Sequence, residues 1–386
     1  MQLQLPEPSA DALSASRSLQ ALIADEIQRH SGWISFSRFM ELALYAPGLG
    51  YYSGGAAKLG KDGDFTTAPE ITPLFGQTLA QVVAAVLDQT DAQIIEFGAG
   101  TGKLAHDLLR ELTTMGVHIS AYGIVELSGE LRERQQLTLI DFPQAVWLER
   151  MPEAFSGLII GNEVLDAMPV HLVVKAQDGW KERGVGYENG KFVYQDRPCE
   201  SWMVKQIPHP DILPPGYLTE VHPVATGFMK SVADALCAGY KHSGNGGALM
   251  MIDYGFPAHE YYLPQRNQGT LMCHYRHHAH PDPFYFPGLQ DITAHVDFTA
   301  MARAGLETGL DLLAYMNQAA FLLSAGLGDV LLRTSPVESL HYLPQANAVQ
   351  KLTSPAEMGE LFKVLVMGKN IGLPDSIIRS DRSGRL

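Results

Sequence analysis

The stretch from Gln93 to Lys103 constrains this chain more than any other. A short apolar run, Gln93-Ile94-Ile95-Glu96-Phe97, meets Gly98-Ala99-Gly100-Thr101-Gly102, and a helical pattern opens at Lys103 and runs to Leu112. A strand that enters a helix through alternating glycines is a βα unit whose backbone comes close to a neighbour with no Cβ in the way. Nucleotides are the usual guests of such turns. A phosphate-cradling loop needs Gly, four residues, then Gly-Lys-Ser/Thr. Gly102-Lys103 would demand a glycine at 97 and Ser or Thr at 104, where the chain has Phe97 and Leu104. A dinucleotide turn, G-x-G-x-x-G, would place its third glycine at 103, which is Lys103. The first reading fails and the second is weakened. The spacing present is E-x-G-x-G-x-G.

Strand-like and helical segments alternate around this turn. Leu74–Leu87 reads as a helix, Ala121–Glu126 as a strand, Ser128–Leu137 as a helix capped by Ser128, and Ala145–Leu148 and Gly157–Gly161 as strands. Such alternation predicts an α/β fold, a parallel sheet with helices on both faces. Upstream, Leu19, Leu22, Ile23 and Ile27 form one stripe of a helix over residues 14–30, with Ser14 or Ser16 as cap, and Ser35 opens a second helix from Phe36 to Leu44. Gly48–Thr67 is glycine-rich and without period, a long loop of the kind that often carries function.

Near residue 176 the alternation stops. Trp180–Tyr187 and Lys191–Gln195 flank Asn189-Gly190, a strong hairpin signal, and five prolines follow between Pro198 and Pro215. Residues 176–216 are therefore read as an insertion. Helix Pro223–Tyr240 and strand Gly247–Asp253 resume the pattern. Thr308–Tyr315 reads as a strand, Asn317–Ala325 as a helix and Lys363–Met367 as an edge strand, and the tail beyond Pro374 is expected to fray.

Composition narrows the partners. Lys and Arg number 28 against 42 Asp and Glu, a net charge of −14, so there is no cationic excess for nucleic acid or for anionic membrane. Cys199, Cys237 and Cys273 are far apart, which excludes a disulfide scaffold and fits a reducing compartment. Met1–Ala12 has neither a basic residue nor an apolar core, so no secretory or transit signal is expected there, and no apolar run approaches the length of a membrane span.

The E-x-G-x-G-x-G spacing resembles the first motif of Rossmann-like S-adenosylmethionine-dependent methyltransferases. A carboxylate at Glu96 suits a ligand with an ammonium and a sulfonium and no phosphate. Glu126, at the end of the next strand, can accept hydrogen bonds from both ribose hydroxyls. Further segments narrow the match. They are Gly63-Asp64-Phe65-Thr66-Thr67-Ala68-Pro69-Glu70-Ile71, Asn162-Glu163-Val164-Leu165-Asp166-Ala167-Met168-Pro169, Ile252-Asp253-Tyr254-Gly255, Gly269-Thr270-Leu271, and Ala294-His295-Val296-Asp297-Phe298. Together they look like the MidA family, relatives of the mitochondrial protein arginine methyltransferase that assists respiratory complex I assembly.

That resemblance implies S-adenosylmethionine as cofactor and an arginine-bearing protein as acceptor, with symmetric dimethylarginine as product in the mitochondrial relative. No metal, nucleic acid or membrane insertion is implied, and a homodimer is allowed. The expected location is a bacterial cytoplasm or, if organellar, a mature mitochondrial matrix form. It also implies an organisation: N-terminal helices and a lid loop (1–71), a first part of the core (72–175), an inserted substrate region (176–216), a second part with acceptor-side loops (217–373) and a flexible tail (374–386).

Candidate cofactor contacts are Glu96, Phe97, Gly98, Ala99, Gly100, Gly102, Glu126 and Asn162, with Thr67 and Pro69 from the segment before the core; Phe65, Thr66 and Thr67 read as a lid. Candidate catalytic residues are Glu163 for cofactor or guanidinium contact, Asp166 for orienting the acceptor, and His295 as base or acceptor contact. Asp253 either lines an acceptor channel or ends its strand. The His-rich tract Cys273–His280 lacks the second cluster a tetrahedral metal site needs and reads as a polar loop. Three rival readings stay open: a methyltransferase for small oxygen or nitrogen nucleophiles, an assembly factor that binds the cofactor without turnover, and, more remotely, a nicotinamide-dependent dehydrogenase.

Overall fold

A computed structural model describes residues 5–54 and 66–386. Phe65 and most of the expected lid loop lie outside the described residues. Two compact units emerge: residues 1–65, 166–226 and 257–297 form one, and residues 66–165, 227–256 and 298–386 the other.

The first unit begins with helix α1 (Ala10–Arg29) and helix α2 (Phe36–Tyr45). Ser9, rather than Ser14 or Ser16, caps α1 by accepting from the Ala12 N–H at 3.3 Å; Ser16 is instead buried and donates to the Pro287 carbonyl. Leu19, Ile23 and Ile27 make the buried stripe, while Leu22 is 40% exposed, because a strict i, i+4 repeat leaves residue 22 off the contact line. Ser35 caps α2 as the sequence predicts. Ile34–Ser35, Gly179–Glu188, His171–Ala176 and Leu218–Val221 build an antiparallel sheet, and Lys191–Pro198 pairs with Gly179–Glu188. Asn189 and Gly190, both at positive φ, make its two-residue turn. The His-rich tract is not a loop. Met272–Tyr275 and His278–His280 form a hairpin around Arg276 and His277, and Asp291–Thr293 adds a third strand.

The second unit holds helices α3 (Ala68–Ile71), α4 (Leu74–Leu87), α5 (Lys103–Thr114) and α6 (Gly129–Thr138). Its strands are β1 (Gln93–Phe97), β2 (Ala121–Val125), β3 (Ala145–Leu148), β4 (Leu158–Asn162), β5 (Gly247–Phe256), β6 (Asp311–Asn317) and β7 (Phe362–Lys369). They run in the order β6-β7-β5-β4-β1-β2-β3, with β5 through β3 parallel and β7 antiparallel to both β5 and β6. The expected edge strand Lys363–Met367 is thus interior, and β6 takes the edge. Thr308 ends a helix, and Gly309 at φ 107° separates it from β6.

Alternate residues of the strands, Ile94, Ile124, Ile160 and Ile252 among them, share one core with Leu79, Val83 and Val86 of α4 and Leu104 and Leu108 of α5. Burying each such side chain contributes roughly 1.5–3 kcal/mol. Gly76 permits close approach of α4 to α5, since a Cβ there would lie 2.8 Å from Asp107 Cβ. The tail beyond Pro374, expected to fray, contains helix Asp375–Arg379, and Asp381 accepts from the Tyr315 N–H at 2.8 Å while Arg382 donates to the Tyr315 carbonyl.

Strand order decides where a site can form. From β1 the chain moves one way to β2 and β3, then returns to place β4 and β5 on the other side of β1. Open α/β sheets bind ligands in the crevice outside the carboxyl ends of strands at such a reversal. The loops after β1 and β4 meet that condition.

Candidate functional site

The turn after β1 is left-handed at three places: Gly98 at φ 60°, Gly100 at 54° and Gly102 at 82°. Gly102 is also the residue from which α5 starts. A Cβ at Gly98 would sit 3.3 Å from Val164 Cγ2, and one at Gly102 3.4 Å from Gln135 Cα. The turn is pinned from several sides. Gly98 N–H donates to the Val125 carbonyl, and Gly102 N–H to that of Ala99. Thr138 Oγ donates to the Thr101 carbonyl at 2.9 Å, and the Thr101 hydroxyl to the carboxylate of Glu70. The last contact ties α3, which opens after Thr67 and contains buried Pro69, to the glycine turn. Glu70 belongs to the segment that carries the family resemblance, and its contact with Thr101 gives it a structural role that the sequence does not assign.

Glu96 is 2% exposed, and its Oε2 accepts from the Tyr122 hydroxyl at 2.8 Å. Burial raises its pKa to about 7, the Tyr122 hydrogen bond opposes the rise, and the nearby charge of Glu126 adds to it. Phe97 packs edge-on against Phe228, ring centres 4.9 Å apart. Glu126, just past β2, accepts from the Ser128 N–H at 2.8 Å and from Gln135 Nε2 at 2.9 Å; burial still carries its pKa above the ordinary carboxylate value. Gln135 was missed by sequence reasoning, since nothing in its polar helix marks it.

At the end of β4, Asn162 Nδ2 donates to Glu163 Oε1 at 3.2 Å, and Asn162 Oδ1 is buried with no hydrogen-bond partner among the described residues. Glu163 has φ 56°, a left-handed conformation that costs a non-glycine residue roughly 1–2 kcal/mol. Tertiary contacts hold it there. Its N–H donates to the Ile252 carbonyl at 2.9 Å, and Asp253 Oδ2 accepts from the N–H groups of Val164 and Leu165 at 3.1 and 2.9 Å. Asp253, placed by β5, therefore acts on the backbone of the Glu163 turn.

Asp166 and His295 belong to the other unit. The Asp166 carbonyl accepts from the Ala294 N–H at 3.0 Å, which sets the two candidates on neighbouring segments. His295 N–H donates to Thr270 Oγ at 3.0 Å, and Thr270 leads to Glu220. Glu220 is fully buried and accepts from the N–H groups of Thr270 and Leu271 and from the hydroxyls of Thr270 and Tyr261. Tyr261 also meets His222, whose pKa burial lowers to about 4.

S-adenosylmethionine is compatible with the β1–β4 crevice on three observations: a turn whose left-handed backbone at Gly98, Gly100 and Gly102 calls for glycine, a buried acceptor on Asn162 with no partner among the described residues, and a carboxylate at the end of each of β1 and β2. The cationic ammonium and sulfonium call for acceptors and anions, and phosphate-binding residues are not required.

Comparison with known proteins agrees with that chemistry. The family model described as "Putative S-adenosyl-L-methionine-dependent methyltransferase" matches residues 74–316. The crystal structure of a Burkholderia thailandensis protein bound to S-adenosyl-homocysteine is 52% identical, with a TM-score of 0.93 and an alignment covering 99% of this chain and 100% of that one. Protein arginine methyltransferase NDUFAF7, mitochondrial, of Xenopus tropicalis is 28% identical over 92% of this chain and 87% of its own length. The mitochondrial homolog from Caenorhabditis elegans is 28% identical over 76% of this chain and 73% of its own length. The chain belongs to this family and is an S-adenosylmethionine-dependent methyltransferase of the MidA type.

Proposed function

We propose that this methyltransferase modifies arginine in a protein acceptor, with symmetric dimethylarginine as the product. The observation that carries the reading is Glu163, a carboxylate held in a strained turn beside the glycine turn of β1. Its support in the comparisons is the name borne by the mitochondrial relatives. Methyl transfer is an in-line displacement in which protein supplies alignment and field. A guanidinium must surrender its solvation and be aligned, and anions do that better than neutral groups.

In this reading Gly98, Ala99, Gly100 and Gly102 seat the methionine part of the cofactor, with Glu96 and Asn162 facing its cationic groups. Glu126 takes the ribose hydroxyls, Phe97 supplies apolar wall, and Thr67 and Pro69 close the site from α3. The bound cofactor supplies an electrophilic methyl group. Glu163 polarises the guanidinium, and the acceptor-orienting and acceptor-contact roles expected of Asp166 and His295 belong to the other unit. Free thiols at Cys199, Cys237 and Cys273 suit a bacterial cytoplasm or a mitochondrial matrix.

Incubating the full chain with methyl-labelled S-adenosylmethionine and cell extract, followed by mass spectrometry, tests the acceptor. Label in protein methylarginine is the expected result. Label confined to a small metabolite refutes the arginine reading in favour of a small nucleophile. Unchanged biological activity of Glu163→Gln refutes it in favour of an assembly factor without turnover.

A further inference from the structure

Helix α6 buries a single side chain among its ten residues, and that side chain is polar: Gln135, 0% exposed. A surface helix ordinarily docks through an apolar stripe. An amide buried without partners costs several kcal/mol, so a lone buried glutamine persists only where its hydrogen bonds are made. Gln135 makes three. Its Nε2 donates to the Gly100 carbonyl and to Glu126 Oε2, both at 2.9 Å, and its Oε1 accepts from Trp147 Nε1 at 2.9 Å.

The partners leave the amide one orientation. An indole N–H can only donate, so it fixes Oε1; a carbonyl and a carboxylate can only accept, so they take both hydrogens of Nε2. Gln135 thereby joins the loops that follow β1 and β2, with β3 supplying Trp147. The bond to Glu126 is charge-assisted and the stronger kind. The same residue also backs the turn, since its Cα is the nearest atom to a Cβ built on Gly102.

We infer that Gln135 is the positioning residue of the cofactor site, locking the Glu126 carboxylate and the Gly100 carbonyl in one mutual geometry so that the ribose diol meets a preformed acceptor. This rests on the reading that the glycine turn and Glu126 hold the cofactor. A leucine would fill the volume and dock α6 equally well. What only the amide does is aim the carboxylate.

The test is calorimetric binding of S-adenosyl-homocysteine, adenosine and 2′-deoxyadenosine to the full chain and to Gln135→Met, which keeps the volume and removes the donor. The native protein is expected to prefer adenosine over 2′-deoxyadenosine by about tenfold, the value of one hydrogen bond to a charged group. In Gln135→Met the preference should collapse toward unity, and S-adenosyl-homocysteine should weaken about tenfold. Equal weakening of both nucleosides with the preference intact marks a merely structural role and overturns the inference, as does native binding. Should Gln135→Met fail to fold, Trp147→Phe at a half-buried position frees the amide to turn. A two- to threefold loss of the preference is then expected, and an unchanged preference overturns the inference. Glu126→Gln separates the two levels. If it leaves all three ligands unaffected, the cofactor-site reading itself falls; if it weakens them while Gln135→Met does not, only the role of Gln135 falls.

Discussion

The turns after β1 and β4 solve the same geometric problem by different means. Both carry left-handed backbone at the carboxyl edge of neighbouring parallel strands. After β1 the conformation falls on Gly98, Gly100 and Gly102, where it has no steric cost. After β4 it falls on Glu163, which must be held by Asp253 and by the Ile252 carbonyl. The first turn is built for close approach of a ligand to backbone. The second accepts strain to keep a carboxylate where a glycine would fit better, and strain of that kind is what functional sites store.

The largest effect should come from removing the freedom of the first turn. Gly100→Val places a β-branched residue at φ 54° and should weaken S-adenosyl-homocysteine by roughly a hundredfold or more, by the cost of strain and of bulk against the ligand. Calorimetry with a circular dichroism control for folding checks this. Native affinity would sink the assignment of the turn.

The second turn breaks the other way. Glu163→Gly relieves a conformational cost of roughly 1–2 kcal/mol against roughly 0.4–1 kcal/mol of extra unfolded-state entropy. The variant should be as stable as the native chain, or more stable by up to about 1.6 kcal/mol, while methyl transfer is lost. Glu163→Gln should lose transfer with stability unchanged. A fall in the melting temperature of Glu163→Gly would show that the turn is not strained, and the contrast between the two turns would disappear.

Support for the second turn is tested next. Asp253→Ala leaves the Val164 and Leu165 N–H groups without the acceptor they now share, at a cost of roughly 1–3 kcal/mol. Asp253→Asn keeps one side-chain oxygen for these two N–H groups but turns an amide N–H toward the Tyr254 N–H, from which Asp253 Oδ1 now accepts at 2.9 Å, and should still cost less than Asp253→Ala. Thermal unfolding of both variants decides, and equal losses would mean the carboxylate acts through something other than these two bonds.

The same contrast governs what the sequence makes legible. Glycine spacing exposes left-handed positions directly, so Gly98, Gly100 and Gly102 and the strand–helix units around them were legible. Positive φ at Glu163 was not, because long-range bonds from Ile252 and Asp253 impose it and no local residue preference records them. Gln135 was hidden for a related reason: in Gly-Glu-Leu-Arg-Glu-Arg-Gln-Gln-Leu-Thr nothing distinguishes the buried glutamine from its exposed neighbours. The apolar run of β7 marked a strand correctly but not its place. A continuous buried run suits an interior antiparallel strand as well as an edge, and only pairing with β5 and β6 decides. Ser9 capped α1 in place of the serines expected because helix boundaries, unlike helix existence, depend on which local oxygen reaches the first free N–H.

A pH-dependent effect concerns protons at the end of β1. Glu96 is buried against Tyr122, and burial raises its pKa from near 4.5 to about 7. The folded chain therefore keeps a proton on Glu96 across a range where the unfolded chain has lost it. By linkage, this contribution to stability is complete below about pH 4.5 and is lost as the pH rises through about 7, a change on the order of 3 kcal/mol. Glu96→Gln should flatten that part of the stability profile of the ligand-free protein. A cationic ligand works against the protonated form. If the ammonium or sulfonium of S-adenosylmethionine lies beside Glu96, binding near pH 6.5 should expel a proton, and the calorimetric enthalpy should vary with the ionisation enthalpy of the buffer. Glu96→Gln should abolish the buffer dependence. Buffer-independent binding by the native chain would remove Glu96 from the cationic end of the site and leave Asn162, whose buried oxygen has no partner among the described residues, as the acceptor there.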